Sequence, residues 1–391
     1  DVPGEQARKA QRAFYTPRQV VDFMCKEALR SYLKSQMPDD DQLDARLYQV
    51  IDAPEREFQD QDHNWRRDLK PYKEDLVTLL DTVRVIDPAC GSGAFPIGMM
   101  QLLLKVYSRL EPRFDVHKTK LQIIERNLYG VDLEPMAVEI SRLRAWLALV
   151  VDADADAKTV KPLPNLDFKF VCANSLLYLD NSSQLSLFED HSLDLKLQEI
   201  REAFFSTQSL KQKAKLKLSY TNLVDEELTV FGETKRTSQL KSFRPFDSDA
   251  ISSFFDPGEM FGVENFHIVV GNPPYVNIEK VSKLVKSEVS RYKTAYQKYD
   301  LYVLFYERAL DLLCDGGVLS FITSNKFLTQ NYGLLLRKEL LQQRIISLVN
   351  FNVNIFESAS VATCVVTLQK RHEVGNQIKF LEINSRDDAM N

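Results

Sequence analysis

Glycine is scarce in this chain, at 13 of 391 residues. Two glycines standing close together, as Gly91 and Gly93 do, therefore carry information. Cysteine is scarcer: Cys25, Cys90, Cys172, Cys314 and Cys364 are scattered, odd in number and form no CxxC pair. That excludes a disulfide framework, disfavours a zinc site and fits a reducing compartment. The five histidines form no ligand-spaced cluster, so no metal is expected. No uncharged run approaches the roughly 18 residues of a membrane span. The charged opening, with Asp1, Glu5, Arg8 and Lys9, is not a signal peptide. Excess positive charge is missing too. A net charge of −5 excludes a generic polybasic nucleic-acid binder and leaves only local patches for such a partner. An initiator Met is lacking and the sequence stops at Asn391, so it reads as part of a longer protein.

What is present is an ordinary globular balance. With 44% hydrophobic and 27% charged residues, wholesale disorder is excluded. The length predicts two to three domains, or one large α/β domain with insertions.

Residues 17–35 predict a helix, with Pro17 in its first turn and Val20, Val21, Met24, Ala28 and Leu29 as an apolar stripe. Residues 38–75 read as an acidic, solvated insertion. From Val83 short apolar runs alternate with helical stretches. Strands are expected at 83–87, 128–132, 168–172, 267–270, 318–322, 345–351 and 361–368, the last two as an antiparallel edge. The expected fold is α/β: a doubly wound, mostly parallel, seven-stranded sheet with helical insertions. The division is 1–82 for an N-terminal helical segment, 83–370 for the alternating domain with an insertion at 185–262, and 371–391 for a linker or following domain.

Asp87-Pro88-Ala89-Cys90-Gly91-Ser92-Gly93-Ala94-Phe95 joins the first strand to a helix. Open α/β sheets bind nucleotides at such a place, and glycine lets backbone approach a ligand closely. The GxxxxGK[ST] phosphate loop is absent, and Pro96 breaks the GxGxxG fingerprint. Asp132 ends the second strand, where an acid can hold ribose hydroxyls. Asn174 and Ser175 follow the third strand. There a polar side chain can read an adenine edge or simply serve a turn. The strand at 267–270 runs into Asn272-Pro273-Pro274-Tyr275. Two prolines stiffen this loop. Asn272 and the Pro273 carbonyl then offer two acceptors to a flat NH₂ group, and Tyr275 offers a ring to stack on.

These motifs resemble S-adenosylmethionine-dependent DNA adenine-N6 methyltransferases of the gamma class. The likeness is to the methylase modules of type IIG-like fused restriction–modification and phage-defence enzymes. It spans about 12–30, 83–180 and 265–370. The resemblance implies a Rossmann-like class I methyltransferase fold and S-adenosyl-L-methionine as cofactor. Phe14-Tyr15-Thr16-Pro17 resembles the family's N-terminal cofactor motif, with Thr16 at the position that contacts the methionine carboxylate. Asp87, Pro88, Ala89, Cys90, Gly91 and Gly93 look like the methionine-binding turn, and Asp132 looks like the ribose ligand. Leu133 would pack on the cofactor's adenine. Asn174, beside Ser175, stands where the family has Asp.

Asn272, Pro273, Pro274 and Tyr275 take the catalytic place, and Phe356 looks like the second aromatic that stacks on a flipped base. The implied partner is double-stranded DNA, in a bacterial or archaeal cytoplasm and with no membrane. Target recognition is expected outside this chain or in a partner. Lys280, Lys283, Lys286, Arg291, Lys293 and Lys298 against two acids, interleaved with Tyr292 and Tyr296, are candidate DNA-backbone contacts. Residues 210–244 form a second basic stretch. No Pro-Cys occurs, which disfavours cytosine-C5 chemistry. Cytosine-N4, RNA or protein-glutamine amino groups remain alternatives, as does a scaffold that binds without turnover.

Overall fold

The computed structural model describes residues 15–38, 40, 42–54, 69–111, 113–150, 166–180, 190–207, 209–230, 234–356, 361–373 and 375–385. Phe14, residues 55–68 of the acidic stretch, and residues 357–360 lie outside them. The chain forms two compact units. One comprises residues 1–90, 94–129 and 266–391; the other comprises 91–93 and 130–265. The expected boundary at residue 82 is therefore not where the contacts divide.

The first unit opens with α1 (Arg18–Gln36). Pro17 supplies φ −56° at its start, and Val20, Val21, Met24, Cys25, Ala28 and Leu29 are buried along one face. Next come α2 (Leu43–Ile51) and α3 (Lys73–Thr82). Here the expected solvated insertion is corrected. Leu43, Leu47, Val50 and Ile51 recur at helical spacing and are fully buried. Each is worth about 1.5–3 kcal/mol. The buried Arg109 guanidinium then closes the end of α2, donating to the carbonyls of Gln49 and Val50 (both 3.0 Å) and of Ala53 (2.6 Å). The acidic run obscured an apolar face that only helical spacing displays.

β1 (Val85–Asp87), α4 (Ala94–Leu110) and α5 (Val116–Arg126) follow. β2 (Leu128–Asp132) leads into the second unit, where it pairs in parallel with β3 (Phe170–Cys172) across α6 (Pro135–Val150). Helices α7 (Asp190–Ser206), α8 (Leu210–Val230), α9 (Lys235–Ser242) and α10 (Pro257–Phe261) build the expected insertion. Its aromatic side chains pack on Phe168, which precedes β3 and stands edge-on to Phe204, Tyr220, Phe243 and Phe246. Two members of its basic stretch are engaged internally. Lys217 lies 4.7 Å from the Phe246 ring centroid and 3.2 Å from Asp167, and Arg244 meets Asp225 at 2.5 Å.

The chain returns to the first unit with β4 (Phe266–Gly271), α11 (Lys283–Val289), α12 (Tyr302–Leu312), β5 (Leu313–Ser324), α13 (Leu334–Leu340), β6 (Gln343–Phe351), β7 (Thr363–His372) and β8 (Lys379–Ile383). Within this unit the strand order is β1-β4-β5-β7-β6-β8. β1, β4 and β5 are parallel, β7 runs antiparallel between β5 and β6, and β8 is parallel to β6. The α/β class and the mostly parallel sheet stand. Two details differ. The antiparallel strand is central to its neighbours, not an edge. And residues 379–383, expected in a linker or following domain, add an eighth strand whose side chains are mostly exposed. Exposure on both faces hides a strand from any test of apolar pattern.

A titratable group sits inside this sheet. His267 in β4 accepts the Arg84 N–H at Nδ1 (2.9 Å) and lies 5.3 Å from the Tyr32 ring. Burial, and then the nearby Arg84 charge, push its pKa down to about 4 from the ordinary 6.5. The unfolded chain thus binds a proton more readily than the folded one between those values. Stability contributed here is complete above pH 6.5 and lost as pH falls towards 4. Urea titrations across that window are expected to show a shallower acid limb for His267→Asn, whose carbonyl can still accept from Arg84; an unchanged slope refutes it.

Candidate active site

Parallel strands end together, and their carboxyl ends gather functional side chains. In the first unit β1 and β4 lie side by side, with Val85 opposite Ile268 and Ile86 opposite Val269. Asp87, 1% exposed, ends β1, and its Oδ1 accepts the Ala89 N–H at 3.0 Å. Gly271 ends β4. A Cβ on Gly271 would fall 2.5 Å from Asp87 Oδ1, so only glycine allows this approach.

The tetrapeptide Asn272-Pro273-Pro274-Tyr275 leaves from that point. Asn272 Nδ2–H donates to the Thr16 hydroxyl at 3.1 Å, and Thr16 is 4% exposed just before α1. Tyr275 is buried, donates its hydroxyl to the Ile322 carbonyl at 3.1 Å, and has its pKa pushed far up by that burial. Its ring meets Tyr302 at 5.8 Å and Phe356 at 6.4 Å, both edge-on. So the structure does bring Tyr275 and Phe356 together. A flat base between two rings needs them parallel and separated by two stacking distances of about 3.4 Å each. An interplanar angle of 71° is not that arrangement, and Phe356 is itself only 3% exposed.

Just beyond the tetrapeptide, residues 276–301 form a closed excursion. Leu301 N–H donates to Val276 O (2.8 Å) and Ile278 N–H to Tyr299 O (2.9 Å). The Glu307 carboxylate takes the N–H groups of Lys293 and Thr294 and the Thr294 hydroxyl. Gln297 at φ +60° is the one described non-glycine residue with a positive φ. Lys280, Lys283, Arg291, Lys293 and Lys298 are exposed. Lys298 pairs with Glu279 (2.7 Å), and Lys286 donates to the Glu279 carbonyl (3.0 Å). Tyr296 is exposed, whereas Tyr292 is buried and belongs to the packing.

In the second unit Asp132 ends β2. Its Oδ2 accepts the Gly91 N–H (2.7 Å) and its Oδ1 the Glu134 N–H (2.9 Å). Burial nevertheless raises its pKa above the usual carboxylate value, with those N–H groups pulling the other way. Gly91 and Gly93 have φ of +52° and +79°. A Cβ on Gly93 would sit 2.9 Å from Ser141 Oγ, while one on Gly91 would meet only open space. Ser141 donates to the Gly91 carbonyl (2.9 Å), and Arg144 to that of Ser92 (2.8 Å). Sequence reasoning missed both of these clamps on the turn. Leu133 is 55% exposed. Asn174 is engaged locally, its Oδ1 accepting the Leu176 N–H at 3.2 Å, which favours the turn role over the reading of an adenine edge. Ser175 is buried.

Among the described residues no helix is long and apolar enough to cross a membrane, and no group of three His, Cys, Asp or Glu could hold a metal.

A type II restriction enzyme and methyltransferase of Methanocaldococcus jannaschii is 26% identical over 95% of this chain and 37% of its own length. RM.Eco57I of Escherichia coli, another type II restriction enzyme and methyltransferase, is 25% identical over 76% of the chain and 25% of its own length. The chain thus spans little more than a third of the first relative and a quarter of the second. Among solved structures, a nuclease-deletion mutant of the Type ISP restriction–modification enzyme LlaGI, in complex with a DNA substrate mimic, superposes with a TM-score of 0.51. It covers 97% of this chain and 25% of the other at 15% identity, and so speaks to the fold alone. The family description "Eco57I restriction-modification methylase" matches residues 126–356, more than half of the chain and a span that holds Asp132, the tetrapeptide and Phe356. With strand ends, glycine turn and tetrapeptide in these places, the chain belongs to the Eco57I restriction-modification methylase family.

Proposed function

We propose that the chain is the methylase part of a restriction–modification or phage-defence enzyme, transferring a methyl group from S-adenosylmethionine to the N6 amine of adenine in duplex DNA. The observation that carries this reading is the tetrapeptide at the end of β4, adjoining the buried Asp87, with the Asn272 amide held by Thr16. The backbone and acids present fit the cofactor. A left-handed Gly91 facing open space admits a ligand against the backbone, and carboxylates at strand ends suit ribose hydroxyls and an ammonium group. Thr16, Asp87, Pro88, Ala89, Cys90, Gly91 and Gly93 would hold the amino-acid part; Asp132, Leu133 and Ser175 would serve the nucleoside. The cofactor, when bound, supplies a methyl group on a positively charged sulfur.

The remaining chemistry belongs to the chain. Asn272 Oδ1 and the Pro273 carbonyl accept the two amine N–H groups and turn the nitrogen lone pair towards the methyl. Pro274 keeps the loop stiff, so little reorganisation is needed at the moment of reaction. The target base leaves the stack to reach them. Stacking it on Tyr275 then requires the Phe356 ring to turn from its edge-on position. Target recognition is assigned to the rest of the longer protein or to a partner.

The test is incubation with methyl-tritiated S-adenosylmethionine and a long mixed-sequence duplex, followed by digestion to nucleosides. Label in N6-methyladenine is expected. N4-methylcytosine would keep the mechanism and change the base, while label only in RNA or protein overturns the DNA reading.

The excursion after the tetrapeptide supplies the phosphate contacts in this reading. Changing Lys283 and Lys293 together to Ala is expected to lower the slope of log affinity against log salt by about 2. Fluorescence anisotropy of a labelled duplex measures it, and an unaltered slope removes these residues from the DNA path.

A further inference from the structure

The hydrogen bond between Thr16 and Asn272 joins positions 256 apart in the chain. A carboxamide is nearly symmetric in shape, so Asn272 can present either oxygen or nitrogen after a half-turn. Only the oxygen can accept from a substrate amine. The group that faces Thr16 therefore bears directly on whether the site is competent. A threonine hydroxyl has one proton and two lone pairs. With its oxygen accepting from Nδ2, Oδ1 is turned the other way, as found here. With its proton donated to Oδ1 instead, the amide is reversed and the site presents the wrong group. Among the described residues the Thr16 hydroxyl makes no other hydrogen bond, and it is 4% exposed. A buried O–H proton seeks an acceptor.

We propose that Thr16 is a positioning residue that couples cofactor binding to the orientation of Asn272. A carboxylate accepting the Thr16 proton leaves the hydroxyl as an acceptor only. Nδ2 of Asn272 must then face it, and Oδ1 is locked towards the substrate. Without that acceptor the hydroxyl can serve either amide orientation. The coupling rests on the proposed use of S-adenosylmethionine, whose methionine part carries such a carboxylate. Being a coupling of two equilibria, it is reciprocal: a correctly held amine favours the cofactor in turn.

The first arm of the test needs no turnover. Protein labelled with ¹⁵N at asparagine gives side-chain amide signals, and the pair missing from Asn272→Ala identifies Asn272. S-adenosylhomocysteine is titrated in, and its affinity is read by calorimetry on the same samples. Addition is expected to shift the Asn272 pair in the wild type and in Thr16→Ser, and to leave it in place in Thr16→Val at saturation. With methyl donor saturating, kcat of Thr16→Val falls by about tenfold, the scale of one net hydrogen bond, and Thr16→Ser restores it. An Asn272 pair that shifts equally in Thr16→Val, or not at all in the wild type, overturns the coupling. So does a Thr16→Val protein that no longer binds S-adenosylhomocysteine, since Thr16 is then a plain cofactor ligand. A wild type that binds none refutes the cofactor reading itself.

Discussion

Replacing Asn272 with Ala is expected to slow methyl transfer by about 10²–10³-fold, the scale seen when one preorganised polar group is removed from a reaction centre. S-adenosylhomocysteine affinity should change far less than the rate, because the Asn272 amide donates to Thr16 and leaves that hydroxyl's own proton for the cofactor. The fold should hold as well. Asn272 is half-buried at the end of β4, and its loop is shaped by Pro273, Pro274 and the buried Tyr275. A rate loss with binding intact is the signature of a group that acts in the transition state. Single-turnover transfer to duplex DNA, with calorimetry on the same preparation, separates the two quantities. Full activity in Asn272→Ala would remove the tetrapeptide from the chemistry.

Adding one methyl group at Gly271 should do comparable damage by another route. The new carbon would lie 2.5 Å from Asp87 Oδ1 and 3.1 Å from its Cγ. Asp87 is short, buried and already bonded to the Ala89 N–H, so it has little room to withdraw. Either β1 and β4 part or the carboxylate is displaced. The expected cost of such overpacking is about 1–3 kcal/mol of stability. The functional loss should be larger, since Asp87 opens the glycine turn and Gly271 leads directly into Asn272. S-adenosylhomocysteine affinity is expected to drop at least about tenfold, with activity below detection. Thermal unfolding and calorimetry on Gly271→Ala check both. Wild-type values for both would mean that the close approach of these strands is dispensable.

Much of this was legible in the sequence because chemistry and position coincide at strand ends. Asp87, Asp132 and Asn272 each close a short apolar run, and each ends or directly follows a strand in the structure. Hidden features had a common cause: they depend on partners far away in the chain. Nothing in the local sequence announces that Thr16 meets Asn272, or that Ser141 and Arg144 hold the carbonyls of the glycine turn. Composition misled at α2, where acids mask a buried stripe, and at β8, where both faces are exposed. The Tyr275–Phe356 pair was found as a pair but not in its geometry, because two aromatic residues in a sequence do not specify an interplanar angle.

The excursion between β3 and β4 starts and finishes at nearly the same spot. Ala173 bridges Ser252 in parallel, with Ser252 N–H donating to Cys172 O (2.9 Å) and Asn174 N–H to Ser252 O (3.0 Å). The described residues between 174 and 251 therefore leave and return through a zipped neck. Closing a longer loop adds little entropy cost, since each doubling of length costs only about 0.6 kcal/mol. Such a neck lets the helices beyond it lengthen or shorten at little cost, provided that an aromatic side chain still covers Phe168. The excursion can lengthen or be trimmed while Ala173 and Ser252 stay paired and β2 and β3 keep their register, so size is free to change ahead of chemistry.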